Sequence, residues 1–208
     1  MRMNKAHHQI TDEELLRRML AGDRVAFGQL YERWQSGVYR FTLRMSGSAA
    51  VAEDVTQETF LTLMRDGRQY QGRGTFAAYL FTIAHHSVLR HLRRERRFVA
   101  IEEDENEEQP HTERLLAADD PLADLTRDET LEAVRQAILA LPVHYREVVL
   151  LCHLHELSYA EAADVIGCEI GTVRSRLHRA RALLTARLQK TEQPDEAARN
   201  LHSTRCFA

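Results

Sequence analysis

Eleven residues near the C-terminus, GTVRSRLHRAR from Gly171 to Arg181, carry four arginines and one histidine. Guanidinium groups at such density grip phosphate oxygens, and one of them can read guanine through a bidentate contact in a major groove. A second concentration lies upstream: His85, His86, Arg90, His91, Arg93, Arg94, Arg96 and Arg97, opposed only by Glu95. Tyr70, Phe76, Tyr79 and Phe81 precede it. Basic residues beside aromatics suit unpaired nucleic acid, because bases stack on rings while phosphates meet arginine. The same rings can equally be core.

The chain as a whole is slightly acidic, with 28 Lys+Arg against 31 Asp+Glu. The charge is divided into blocks. Residues 1–97 are net +6, residues 98–132 are net −11 and residues 133–208 are net +2. Two basic ends around an acidic middle point to nucleic acid at the ends, and two solvated helical domains with an acidic linker would show the same balance.

The elements that must position these residues read as helices throughout. Apolar residues recur at helical spacing, and only 9 glycines and 4 prolines punctuate 208 residues. Thr11-Asp12-Glu13-Glu14 predicts a reciprocal capping box before a first helix. Further helices are expected from about Val25, from Ala49 to Arg65, and from Phe76 to Arg97. The glycine-rich stretch YQGRGT forms the loop before the last of these. Residues 98–127 are acidic and hold Pro110 and Pro121, so they read as a flexible linker. Helices resume over Asp128–Leu139 and Val143–Leu154. Ser158-Tyr159-Ala160-Glu161 is a second capping box, opening a short helix to Ile166. Gly167-Cys168-Glu169 turns into a last helix, from Gly171 to Gln189. The expected fold is therefore all-α: two small helical domains at 11–97 and 128–189, a linker at 98–127 and a tail at 190–208.

Two helices joined by a three-residue turn with glycine form a helix-turn-helix pattern. Ala163 supplies the close packing, Gly167 the turn and Val173 the return to the core. At about 100° per residue, Ile170, Val173, Leu177, Ala180, Leu184 and Leu188 fall on one stripe of the last helix. Thr172, Ser175 and Arg179 fall opposite. Arg174 and His178 lie on one shoulder and Arg176 on the other, while Arg181 sits near the stripe, placed to snorkel or pair.

Other chemistries find little support. No apolar run is long enough to cross a bilayer, and MRMNKAHHQITDEELL lacks a signal-peptide core. Cys152, Cys168 and Cys206 have no framework spacing, which favours reduced thiols in a cytoplasm. Although the chain has 11 histidines, His155-Glu156 is followed by Tyr159 where a HExxH zinc site needs a second histidine. No GxxxxGK[ST] phosphate loop is present. The expectation is a non-enzyme with no metal and no cofactor. A stand-alone helix-turn-helix regulator would need neither the helix bearing DVTQETF nor the basic block after it.

From Asp23 to Leu188 the chain resembles a bacterial sigma factor of the extracytoplasmic-function (ECF, group IV) class. AEDVTQETFLTLMR (52–65) resembles region 2.2, YQGRGTFAAYLFTIAHHSVLRHLRRERR (70–97) regions 2.3 and 2.4, and LPVHYREVVLLCHLHELSYAEAADVIGCEIGTVRSRLHRARALL (141–184) region 4. The resemblance implies promoter recognition and initiation without nucleotide hydrolysis. Its implied partners are core RNA polymerase (the β′ clamp helices and the β subunit), promoter DNA and an anti-sigma factor, and it implies a cytoplasmic protein, at the nucleoid when active. Asp54, Gln57, Glu58 and Leu61 would contact polymerase. Gly72, Arg73, Gly74, Thr75, Tyr79, His86 and Arg90 would serve the -10 element, and Thr172, Arg174, Ser175, His178 and Arg179 the -35 element. Tyr79 stands where the family often has Trp, and His86 where it commonly has Asn. No long N-terminal autoinhibitory region and no region 3 domain are recognisable. The connector of the family threads toward the active-site cleft and RNA exit path, so the acidic residues of 98–132 are expected to occupy basic channels meant for RNA.

Overall fold

The computed structural model describes residues 10–72, 74–102 and 125–192. Arg73, residues 103–124 of the acidic stretch and the tail with Cys206 lie outside the described residues. All regular structure within them is helical.

Helix α1 (Asp12–Leu20) starts at Thr11, whose side chain accepts from the Glu14 N–H at 3.3 Å. Only this half of the expected capping box forms, because the Glu14 carboxylate pairs with Arg17 along the helix instead. Asp23 starts α2 (Arg24–Ser46) by accepting from the N–H groups of Val25 and Ala26. Gly47 ends α2 in the left-handed conformation at φ 75°. Ser48 caps α3 (Ala49–Asp66), and a 3-10 turn over Gly67–Gln69 leads to the glycine loop. Helix α4 spans Phe76–Glu102, five residues beyond the expected end at Arg97. Phe98-Val99-Ala100-Ile101 contains no helix breaker, so nothing in the local sequence stops the backbone there. Helix α5 (Leu125–Leu139) likewise starts three residues before Asp128.

The C-terminal half departs from expectation at one place. Helix α6 covers only Val143–Val149, and Leu150–Leu154 forms a π turn rather than continuing it. His155 N–H then bonds to the Leu150 carbonyl at 3.1 Å, a five-residue step. Helix α7 (Tyr159–Ile166) has the full capping box: the Glu161 N–H donates to Ser158 Oγ, and the Ser158 N–H donates to the Glu161 carboxylate at 2.8 Å. Gly167 turns the chain at φ 75°, ψ 45° into α8 (Ile170–Glu192).

Helices α1 to α4 enclose Leu15, Leu30, Phe41, Met45, Leu63, Phe76 and Phe81, all buried. Phe41 and Phe81 meet edge-on at 5.4 Å, and Trp34 lies edge-on to Phe76 and Phe81. Helices α6 to α8 bury Leu141, Val148, Leu151, Ala162, Val173, Leu177 and Ala180. The two halves do not stand apart. Helix α7 packs on α4, α5 and α6 pack on α2, and the buried apolar residues form one continuous cluster.

Gly167 is the backbone hinge of the C-terminal half. A Cβ there would meet no atom within 4 Å, so the cost of a substitution is purely conformational. Gly167→Ala is expected to lose about 1–2 kcal/mol, the penalty of the left-handed region for a residue with a Cβ. Chemical denaturation checks this, and an unchanged midpoint would show that the turn reaches a right-handed alternative at no cost.

Candidate nucleic-acid interface

The last helix is held by its inner face. Val173, Leu177 and Ala180 are buried against α6 and α7, and Leu184 packs at the edge of the same core. That leaves Arg174, Ser175, His178 and Arg179 exposed on the outer face, as the angular pattern predicts, with Thr172 half-buried at its start. The Ser175 hydroxyl donates to the Thr172 carbonyl at 3.0 Å, so the first turn carries its own bond. Ile170, placed on the stripe by the sequence, is 40% exposed, because it precedes the first turn that reaches the core. Arg176 turns inward and bonds to Glu147 at 2.8 Å, and Arg181 reaches His153 Nε2 at 3.1 Å. Of the four arginines, Arg174 and Arg179 are the ones presented outward without a recorded side-chain bond.

The upstream cluster divides. Phe76 and Phe81 are core and offer no face to a base. Tyr70 and Tyr79 are half-buried with ring centroids 5.2 Å apart. The Tyr79 hydroxyl donates to the Asp66 carbonyl at 3.2 Å, and burial raises its pKa. Gly72 and Gly74 are exposed at φ 69° and 74°, conformations that fold the loop back so that Tyr70 reaches the Gly74 carbonyl at 3.0 Å. Thr75 is exposed and caps the start of α4 toward Ala78, while its hydroxyl also donates to Glu161 on α7. His85, counted in the basic cluster from sequence, is buried at 2% exposure and bonded to Glu147, so it belongs to no outer face. His86 is exposed. Burial first, then the charges of His85, Arg90 and Arg93, hold its pKa below the ordinary histidine range.

Helix α3 carries a distinct face. Asp54 and Gln57 are exposed, and Leu61 is 66% exposed. Met64, 51% exposed and seven residues after Gln57, continues the same row. Sequence reasoning passed over Met64, although its helical period with Gln57 and Leu61 marks it. Leu61 and Met64 thus place two exposed apolar side chains beside the polar ones on one row of α3. Glu58 turns from this row toward α4. It accepts from Arg90 at 2.6 Å and from Ser87, with His91 at 3.8 Å. Burial raises the pKa of its carboxyl, but these hydrogen bonds and charges outweigh burial and hold it below the usual range.

Comparison with known proteins decides the family. Residues 30–98 match the model of Sigma-70 region 2, and residues 131–184 match that of Sigma-70, region 4. The RNA polymerase sigma-H factor of Pseudomonas aeruginosa is 34% identical over 186 residues, covering 87% of this chain and 95% of that protein. The chain belongs to the ECF sigma factors. Members of this family direct promoter-specific initiation of transcription and are regulatory factors rather than catalysts. The ECF RNA polymerase sigma factor SigE of Mycolicibacterium smegmatis is 37% identical over 175 residues, which is 81% of this sigma factor but only 65% of that protein. Among solved structures, the sigma factor RpoE in complex with the anti-sigma factor NepR from Bartonella quintana superposes with TM-score 0.63 and 26% identity. That match covers 78% of this chain and 96% of the other. No helix among the described residues is long and apolar enough to cross a membrane.

One histidine of this sigma factor has an unusual setting. The π turn carries the His155 ring onto Phe81 at 4.3 Å and Phe41 at 5.8 Å, with Nε2 buried and unpartnered. Burial, reinforced by Arg40 and Arg44, lowers its pKa from 6.5 to about 4. The unfolded chain therefore binds the extra proton between those values, and stability falls as pH drops through that window. Replacing His155 with Phe removes this term. The melting temperature of the wild type is expected to fall more steeply than that of the variant between pH 6.5 and 4. Parallel pH profiles would contradict a neutral buried ring.

Proposed function

We propose that this sigma factor binds core RNA polymerase and reads both promoter elements. Residues 11–97 act as region 2, 98–127 as the linker, 128–189 as region 4 and 190–208 as a tail. Asp54, Gln57 and Leu61, extended by Met64, dock on the β′ clamp helices, with Glu58 at the edge of that row where Arg90 and Ser87 hold it, and the β subunit is a further partner. Thr172, Arg174, Ser175, His178 and Arg179 enter the -35 major groove. Gly72, Arg73, Gly74, Thr75, Tyr79, His86 and Arg90 hold the opened -10 strand. A neutral His86 offers one donor and one acceptor, where the Asn amide common at this place offers two N–H donors and a carbonyl acceptor, so it keeps a base-reading role with altered geometry. The acidic linker occupies the basic path of the emerging RNA, and binding energy alone opens the strands. The protein acts in the cytoplasm, at the nucleoid during initiation. An anti-sigma factor partners it, a reading supported by the complexed state of its structural relative.

The observation that carries this reading is the outer face of α8: exposed Arg174, Ser175, His178 and Arg179 behind a glycine turn, on a helix held to the core by buried Val173, Leu177 and Ala180. The test mixes the purified protein with bacterial core polymerase and a panel of promoter templates. Protein-dependent run-off transcripts with a defined start are expected. Absence of core binding together with tight duplex binding by the protein alone would replace this reading with that of a stand-alone regulator.

A further inference from the structure

Helices α2 and α3 leave a cleft of about 410 Å³ between them, and of its lining residues only Gln57 belongs to the sets assigned above. The size lies within the roughly 300–1,000 Å³ that small-molecule sites span. Tyr31, Gln35 and Tyr39 stand at four-residue steps on α2 and so share one face, which Arg40 completes. Glu53 and Gln57, also one turn apart, form the α3 wall. The two helices run antiparallel: the Thr42 hydroxyl reaches the Ala52 carbonyl at 3.4 Å, and the rings of Tyr31 and Phe60 meet at 4.8 Å. In that register Gln57 faces the Tyr31 and Gln35 end, and Glu53 faces the Tyr39 and Arg40 end. The side chains of Gln35, Arg40, Glu53 and Gln57 have no hydrogen bond or ion pair among the described residues.

Arg44 stands one turn beyond Arg40 on the same face of α2. It is half-buried, and its guanidinium too has no hydrogen bond or ion pair among the described residues. Burial first, then the charges of Arg135 and Arg40, lower its pKa. The dipole at the end of α2 favours a cation there, but the Met45 carbonyl is already taken by Arg146. A guanidinium withdrawn from water ordinarily has a polar partner. Arg44 meets like charges instead, and an anion laid across Arg40 and Arg44 would turn that repulsion into attraction.

We propose that the α2–α3 cleft binds a nucleoside triphosphate, with its base on Tyr31, its sugar hydroxyls at Glu53 and its phosphates on Arg40 and Arg44. Each part of the ligand meets the chemistry it needs. The half-buried Tyr31 ring, braced by Phe60, offers a stacking face, and the amides of Gln35 and Gln57 supply donors and acceptors for the base edge. Glu53 accepts from hydroxyls. The two arginines, about 5.4 Å apart along the helix axis, suit a chain of phosphates better than a single one. The order base, sugar, phosphate thus follows the order of residues along the cleft. This site goes beyond promoter reading and does not depend on it.

Titration calorimetry of the full chain with ATP, AMP and pyrophosphate, at about 0.15 M salt to screen diffuse attraction, tests the site. ATP is expected to bind at one site, at least about tenfold more tightly than AMP or pyrophosphate. Arg40→Ala and Arg44→Gln are each expected to weaken ATP at least about fivefold. Both should keep the far-UV circular dichroism of the wild type, since Arg40 is exposed and Gln keeps part of the Arg44 stem. Arg24→Ala, an exposed arginine at the far end of α2, should leave binding unchanged. No saturable ATP binding up to about 1 mM would overturn the proposal. So would pyrophosphate binding as tightly as ATP, which would mark a bare anion patch, and so would equal affinity in the wild type and both arginine variants. A protein that binds ATP in this way but not core polymerase would keep the site and lose the functional reading.

Discussion

Phe81→Ala is expected to cost the protein about 3–5 kcal/mol, the range for truncating a fully buried aromatic side chain. Phe81 is 1% exposed and touches Trp34 and Phe41 within α1 to α4 and His155 from the other half. Packing of α2 and α4 on α3 limits how far the backbone can close the space. The loss should appear as a lower denaturant midpoint for both halves at once, read by one transition with two probes. A variant in which only the N-terminal half is weakened would show that the continuous core is two independent ones. Phe81→Leu, which keeps much of the volume, is expected to recover more than half of the loss.

Arg179→Ala is expected to weaken promoter recognition by about 1–3 kcal/mol, a fall of roughly 5- to 150-fold, if the guanidinium reads a guanine edge. Arg179 is exposed at the centre of the outer face of α8, one turn after Ser175. Its stability cost should be negligible, because the side chain contributes nothing to the core. Transcription from templates altered base by base in the -35 element separates the two roles. Loss confined to one position marks base reading, whereas equal loss on every template makes Arg179 a phosphate contact. Arg176→Ala provides the contrast. Its guanidinium serves Glu147, so its removal should reach the DNA only by loosening the helix.

Helical periodicity made most of this architecture legible. The stripe through Val173, Leu177 and Ala180 was correct because burial on a helix follows angle, and the outward set followed from it. Caps at Ser158 and Gly167 were legible because their chemistry is local. Three things were not. The π turn at Leu150–Leu154 leaves no mark in Leu-Leu-Cys-His-Leu, since one extra residue in a turn is decided by where His155 fits. His85 looked like one more base among arginines, and only its partner across 62 positions, Glu147, explains why it is buried. Phe76 and Phe81 shared a basic neighbourhood with Tyr70 and Tyr79, yet composition does not say which rings turn inward. Each case depends on a contact distant in sequence.

The position of Glu58 has a consequence for how the two faces of region 2 communicate. Its carboxylate lies between the row of Gln57 and Leu61 on one side and Arg90 and Ser87 on the other. A cation offered to Glu58 from the α3 face competes with Arg90 for Oε1, and an anion that draws Arg90 away frees that oxygen, while Ser87 keeps Oε2. The two events therefore favour each other, and the free energy by which the first helps the second equals that by which the second helps the first. On the functional reading proposed above, that shared oxygen would couple attachment on α3 to strand capture on α4.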